Sequence, residues 1–172
     1  MKLKLGLAIV AIAATGVAAV CLYRAHSPAP AFNVSATQKN ARTLTQSEVE
    51  NLLGSQFVVV RKARQVPPAL KQSFTNFTGL PFDMNDPGER IGTDFIIPGV
   101  PSRRLVFAAV GDNSAVLVYE QGGYGTMLNA IVFSYVNGRA WRATLDYRSV
   151  DDVSALRTVV GSGQFRNLEK RN

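Results

Sequence analysis

The sequence predicts an α+β domain: an antiparallel meander of about four to five strands packed with two to three short helices, preceded by one apolar helix at the amino terminus. Three observations lead there. Residues 115–147 hold three apolar runs joined by glycine-bearing turns, which read as consecutive strands. Helix-start signals lie on both sides of them, at Thr45-Gln46-Ser47-Glu48 and at Ser149 with Asp151 and Asp152. Residues 5–22 carry no charge at all.

That uncharged stretch follows Lys2 and Lys4 and is rich in Ala, Val, Ile and Leu. Its eighteen residues exceed the apolar part of a signal peptide, about 7–15 residues, and fall just short of the ~20 of a spanning helix. Residues 1–24 are therefore expected to be a signal-anchor or a signal peptide. The two lysines would hold the start inside, placing the domain outside the cytoplasm, periplasmic or extracellular. If the chain is cut, for which Ala29-Pro30-Ala31 offers small residues, the domain is secreted. Cys21, the only cysteine, follows Val20, which argues against lipid attachment.

Residues 25–42 contain Ser27-Pro28-Ala29-Pro30 and then polar residues without an apolar period, the pattern of a flexible linker. Of the 19 basic residues, Lys2, Lys4, Arg24, Lys39 and Arg42 precede Thr43, and no acidic residue does. From Thr43 onward 14 basic residues face 12 acidic ones, a balance of +2. The excess charge of the chain belongs to the anchor and linker, and the domain has no electrostatic footprint for nucleic acid.

A single domain is expected over residues 43–165. Thr45 and Glu48 form a capping box opening a short helix, with Val49, Leu52 and Leu53 on its buried side and Gly54 as its stop. Residues 57–60 form a continuous apolar run, and Arg61, Lys62 and Arg64 mark a strand end emerging into solvent. Pro67-Pro68 can open a second helix, because the first turn needs no N–H there; Leu70, Phe74 and Phe77 share one side and Gly79 ends it. Residues 80–101 are broken by four prolines and three glycines into an irregular segment, whose Phe82, Phe95, Ile96 and Ile97 are expected to pack it onto the domain.

The strands follow. Residues 105–110 and 115–121 are joined by Gly111-Asp112-Asn113-Ser114, and Gly122-Gly123-Tyr124-Gly125 makes the next hairpin. Asn137-Gly138 predicts a two-residue turn with Val136 facing Arg139, which pairs Ser134 with Trp141 and Val132 with Ala143. The second face then pairs Phe133 with Arg142, Ile131 with Thr144 and Asn129 with Asp146. A last helix, capped by Ser149, should lay Val150, Val153, Leu156 and Val160 over the Trp141 face and stop at Gly161. Residues 166–172 are a polar tail expected to fray.

The inventory restricts the chemistry. His26, in the linker, is the only histidine, so the domain holds no Ser-His or Cys-His nucleophilic pair and no His-containing zinc site. No cofactor and no metal is expected; Asp83, Asp86, Glu89 and Asp94 read as acidic turn residues, because a calcium loop needs a longer ordered ligand series. Glu120 and Asp146 form a weak carboxylate pair that could flank a groove. Lys62 and Lys71 are the candidates for Ser-Lys chemistry, and neither sits beside a distinctive serine motif.

These exclusions favour a non-enzymatic domain, membrane-tethered or exported, that binds a protein or an envelope component. Ile131, Phe133, Tyr135 and Arg142 would make its binding patch, an arginine–aromatic mixture of the kind enriched at interfaces. Two alternatives remain: a carboxylate-dependent or Ser-Lys hydrolase, and a structural subunit of an envelope assembly. The patch requires the second sheet face to stay open; the competing reading is that the helix from Pro68 to Phe77 covers this face as part of the core.

Overall fold

The computed structural model describes residues 44–93, 97–136, 138–145 and 150–162. The expected amino-terminal helix, linker and polar tail, and the side chains of Asp94, Phe95, Ile96, Asp146 and Ser149, lie outside them. No helix among the described residues is long and apolar enough to cross a membrane.

Helix α1 (Gln46–Gly54) leads into strand β1 (Val58–Val60), a 3-10 turn (Ala63–Gln65) and helix α2 (Pro68–Thr78). Strands β2 (Arg103–Val110), β3 (Ser114–Gly123), β4 (Gly125–Ser134) and β5 (Arg139–Leu145) follow, then helix α3 (Val153–Gly161). All strand pairings are antiparallel, in the order β1-β2-β3-β4-β5. The domain is thus the expected α+β meander.

Both faces of the sheet are covered. On one, α1 and α3 enclose Phe107, Val116, Val118, Val132, Trp141 and Ala143 together with Leu52, Leu156 and Val160. On the other, α2 lays Leu70 and Phe74 over Leu105, Leu117, Tyr119, Ile131 and Phe133. The segment between α2 and β2 completes this second layer with Met84 and Phe82. It also joins the sheet edge where β1 stops: Asn85 donates to the Arg103 carbonyl at 3.0 Å and accepts from the Leu105 amide at 2.9 Å. The second face is therefore closed over most of its length, where an open binding surface was expected.

The helix ends follow local chemistry. Thr45 Oγ1 accepts from the Glu48 amide at 3.3 Å, and Glu48 Oε2 accepts from the Thr45 amide at 2.8 Å. Leu52 is buried beneath α1, but Leu53 is exposed, because the adjacent position lies about 100° further round the helix. Glu48 instead takes the inner side, where Arg139 Nε approaches it at 3.6 Å. Thr45→Ala removes half of the reciprocal cap and should cost about 1 kcal/mol in urea denaturation. An unchanged midpoint would show that tertiary packing alone holds this end.

Gly79 closes α2 at φ 72°, a left-handed position that favours glycine. The cap of α3 is Asp152, whose carboxylate accepts from the Ala155 amide at 2.8 Å. The helix thus starts three residues beyond the expected cap at Ser149, and Asp151 and Val150 precede it. Arg157 of α3 donates to the Leu52 and Ser55 carbonyls and stacks over Phe57 at 5.5 Å, so a side chain from α3 satisfies the exposed end of α1.

The β4–β5 register differs from expectation. Ser134 faces Arg139, Val132 faces Trp141 and Leu128 faces Leu145, so four residues separate the strands rather than two. Gly138 supplies a positive φ of 59° within this loop. A four-residue loop of this kind leaves Val136 exposed and lets the Tyr135 amide donate to Asn113, beside the β2–β3 turn, at 2.9 Å. The slip is two residues, so every side chain keeps its predicted face.

Candidate functional site

Helix α2 does not cover the whole second face. Past Phe74 the face turns polar: the row after Leu117 and Ile131 is Leu105, Tyr119, Asn129 and Thr144, and beyond it come Arg103, Gln121 and Met127. Arg142, opposite Ile131, donates through Nη2 to Asn129 Oδ1 at 3.3 Å and so leans into this row. Met127 is exposed, while Gln121, Arg142 and Thr144 are half-buried, so the polar end is the part of the face that solvent reaches.

Arg103 arrives here through an irregularity in β2. Leu105 faces Tyr119 and Phe107 faces Val118, which leaves Val106 as an extra residue, a β-bulge. Without it, Phe107, Leu105 and Arg103 would share the Trp141 face by alternation. The bulge inverts that parity. It sends Leu105 and Arg103 under α2, and Arg104 to the opposite face, where its Nε binds Glu120.

Arg103 is only 7% exposed. Its Nη2 donates to the Pro81 carbonyl at 2.9 Å, and its guanidinium lies 5.3 Å from the Phe74 ring centroid. Nε and Nη1 are buried with no hydrogen-bond partner, as are Arg142 Nε and Thr144 Oγ1. Burial pushes the Arg103 pKa down; Tyr119 and then Asp83 oppose this, and Arg142 adds to it. Burial likewise raises Tyr119, while Arg142 and Arg103 pull it back. Two cations therefore flank one buried phenol, and among the described residues neither forms an ion pair. Such groups cost several kcal/mol to bury without partners, so their retention needs a reason.

The sequence-predicted patch separates into different roles. Ile131 and Phe133 are 0% exposed beneath α2, with the Phe77 ring 6.2 Å from that of Phe133, so they belong to the core. The face that was expected to offer them to a partner is closed by Leu70, Phe74 and Phe77, the very residues that make α2 amphipathic. Tyr135 follows β4 at the opposite end from Arg103 and packs at the margin of the same core. Arg142 alone of the four joins the polar cluster. Arg103, Tyr119, Asn129 and Thr144 were missed; an asparagine inside the apolar run of β4 was the available signal for the row.

Glu120 is held by Arg104, whose Nη1 also donates to the Glu89 carbonyl at 2.6 Å. Asp146, its expected partner, lies outside the described residues. Asp86 and Glu89 serve the long segment: Asp86 Oδ1 accepts from the Ala63 amide at 2.6 Å, and Glu89 Oε2 from the Asp86 amide at 2.8 Å. Among the described residues no three His, Cys, Asp or Glu side chains converge as metal ligands. Lys71 lies over the Phe82 ring at 5.4 Å, and Lys62 is exposed.

Burial also pushes Tyr135 up to about 12 from the ordinary 10.0. Between those values the unfolded chain loses its phenolic proton and the folded chain keeps it. Stability is then fully present below pH 10 and drains away as the pH rises towards 12. Denaturant midpoints followed from pH 8 to 12 should fall less steeply in Tyr135→Phe. Parallel curves would remove Tyr135 from the alkaline transition.

Comparison of the chain with protein-family models, with curated proteins and with solved structures gives no significant match.

Proposed function

We propose that this chain is a non-enzymatic binding domain, exported and either tethered by residues 5–22 or released, which recognises a protein or another component of the cell envelope. The carrying observation is the pair Arg103 and Arg142, with buried donors that the domain itself leaves unmet. The cluster of two arginines, a tyrosine, an asparagine and a threonine brings together hydrogen-bonding and charged groups without a carboxylate, thiol or imidazole among the described residues. An interface uses such groups directly, because arginine and tyrosine bring donors and apolar area together. The role of Glu120 as the partner of Arg104 favours this reading over a carboxylate-dependent hydrolase.

The test is capture of envelope components by the full chain and by Arg142→Ala, with thermal melting to show that the variant is folded. Arg142 is half-buried, so its truncation should leave the core intact. A component retained by the parent chain and reduced about tenfold or more in the variant is the expected result, as for an interfacial anchor arginine. Equal retention overturns the assignment of the site. Turnover of a defined compound, abolished in Glu120→Gln, would transfer the protein to the hydrolase alternative.

A further inference from the structure

We propose that the Arg103–Arg142 end of the sheet is a receptor for a compact oxyanion, a phosphate- or carboxylate-bearing group, entering beside Met127 and Thr144. The inference rests on the binding reading above and names the chemistry of what that site takes.

The unmet atoms all ask for the same kind of ligand. Arg103 Nε and Nη1 and Arg142 Nε are obligate donors, and the Thr144 hydroxyl can donate. An acceptor-only anion with several oxygens meets such a set and balances its charge as well; a neutral acceptor meets the donors alone, and a cation is repelled. Nε and Nη1 lie on different sides of the Arg103 guanidinium, with Nη2 held by Pro81 between them, and each can give one charge-assisted bond to an oxygen of an anion. The charges agree with the donors, since Arg103 and Arg142 act on each other and on Tyr119, and among the described residues neither has a carboxylate within ion-pairing distance, Asp83 acting on Arg103 from further off.

The surroundings are built for the task. Phe74 backs the Arg103 guanidinium on one side, Pro81 holds its third nitrogen, and Asn129 holds Arg142 by its Oδ1. Each arginine thus has one tether and free donors, in a setting dry enough for a charge-assisted bond to be strong. The unmet donors are themselves buried, and the rim nearest to them that solvent touches is on the β4–β5 side, where Met127 is exposed and Arg142 and Thr144 are half-buried.

The experiment follows the arginine Nε–H signals of the 15N-labelled full chain, purified in a non-ionic detergent, by NMR. Inorganic phosphate and acetate are titrated separately, with sodium chloride holding the ionic strength constant. Saturable shifts of the Arg103 and Arg142 signals are expected, identified by their loss in Arg103→Lys and Arg142→Lys. Lysine keeps the charge and loses the Nε–H donor, so Arg142→Lys should weaken the affinity about tenfold or more. Arg142→Lys keeps the test decisive should Arg103→Lys fail to fold. A response to phosphate alone or to acetate alone supports the proposal and selects the class. Absence of a saturable shift up to tens of millimolar, or equal affinity in the parent chain and Arg142→Lys, overturns it. Arg142-dependent capture of an envelope component without any anion response would sink this inference alone and leave the binding reading standing.

Discussion

Gly122→Ala should lower stability by about 3 kcal/mol or more in urea denaturation, among the largest effects expected of one methyl group in this chain. A Cβ at residue 122 would meet the Gly92 carbonyl oxygen at 2.0 Å and the Thr93 Cα at 3.2 Å. Both are backbone, so no side-chain rotation relieves the contact. The two strips of chain are pinned: the Gly122 amide donates to the Ser102 carbonyl at 2.8 Å, and the Gly92 amide to the Pro101 carbonyl at 2.9 Å. Relief requires the long segment to lift from the end of β3. Gly123→Ala is the control, with nothing within 4 Å of the added carbon, and it should be neutral or slightly stabilising because alanine restricts the unfolded chain. Matching midpoints for the two variants would mean that the segment does not press on β3 in solution.

Phe74→Ala should cost about 3–5 kcal/mol, the usual loss for truncating a buried phenylalanine. The ring is fully buried and meets Phe82 at 5.6 Å and Tyr119 at 5.7 Å, both edge-on, besides lying under the Arg103 guanidinium. Three different parts of the chain therefore lose a neighbour together: the long segment, the central strand and the buried cation. Phe74→Leu fills much of the space without an aromatic face, so the gap between the two variants separates packing from ring-specific contacts. A loss below about 1 kcal/mol for the alanine variant would contradict the placement of α2 over the sheet. Calorimetric or urea unfolding reads both variants.

The two substitutions probe features of different legibility. The amphipathic spacing of Leu70, Phe74 and Phe77 is a pattern of neighbouring residues, and α2 forms where it predicts. The contact of Gly122 with Gly92 joins residues thirty apart, and nothing near either glycine announces it. A glycine there reads equally well as a turn residue, and Gly125, at the start of β4, does take a positive φ of 121°. The β4–β5 hairpin lies between these cases. Asn137-Gly138 marked its place and the alternation marked its faces, but loop length was decided by the sheet around it.

The candidate site was legible only in part, because a bulge sits between its two arginines. Arg142 keeps its predicted face after a slip of two, since that shift preserves parity. Arg103 changes face on account of Val106, a residue indistinguishable by type from the apolar residues around it. Ile131 and Phe133 were placed on the correct face, and whether that face was open depended on where α2 came to rest.

The sequence by itself determined the kinds and order of the described α-helices and strands, the capping of α1, the closing glycine of α2 and the absence of histidine and cysteine from residues 43–172. Each of these is set by side-chain chemistry at positions close together along the chain. Only the tertiary structure decided the register of β5, the inversion of β2 at Val106, the closure of the second face and the pairing of Glu120 with Arg104. Those depend on which distant strands and helices meet, and the free energy that chooses among such meetings is collected only when the whole domain packs.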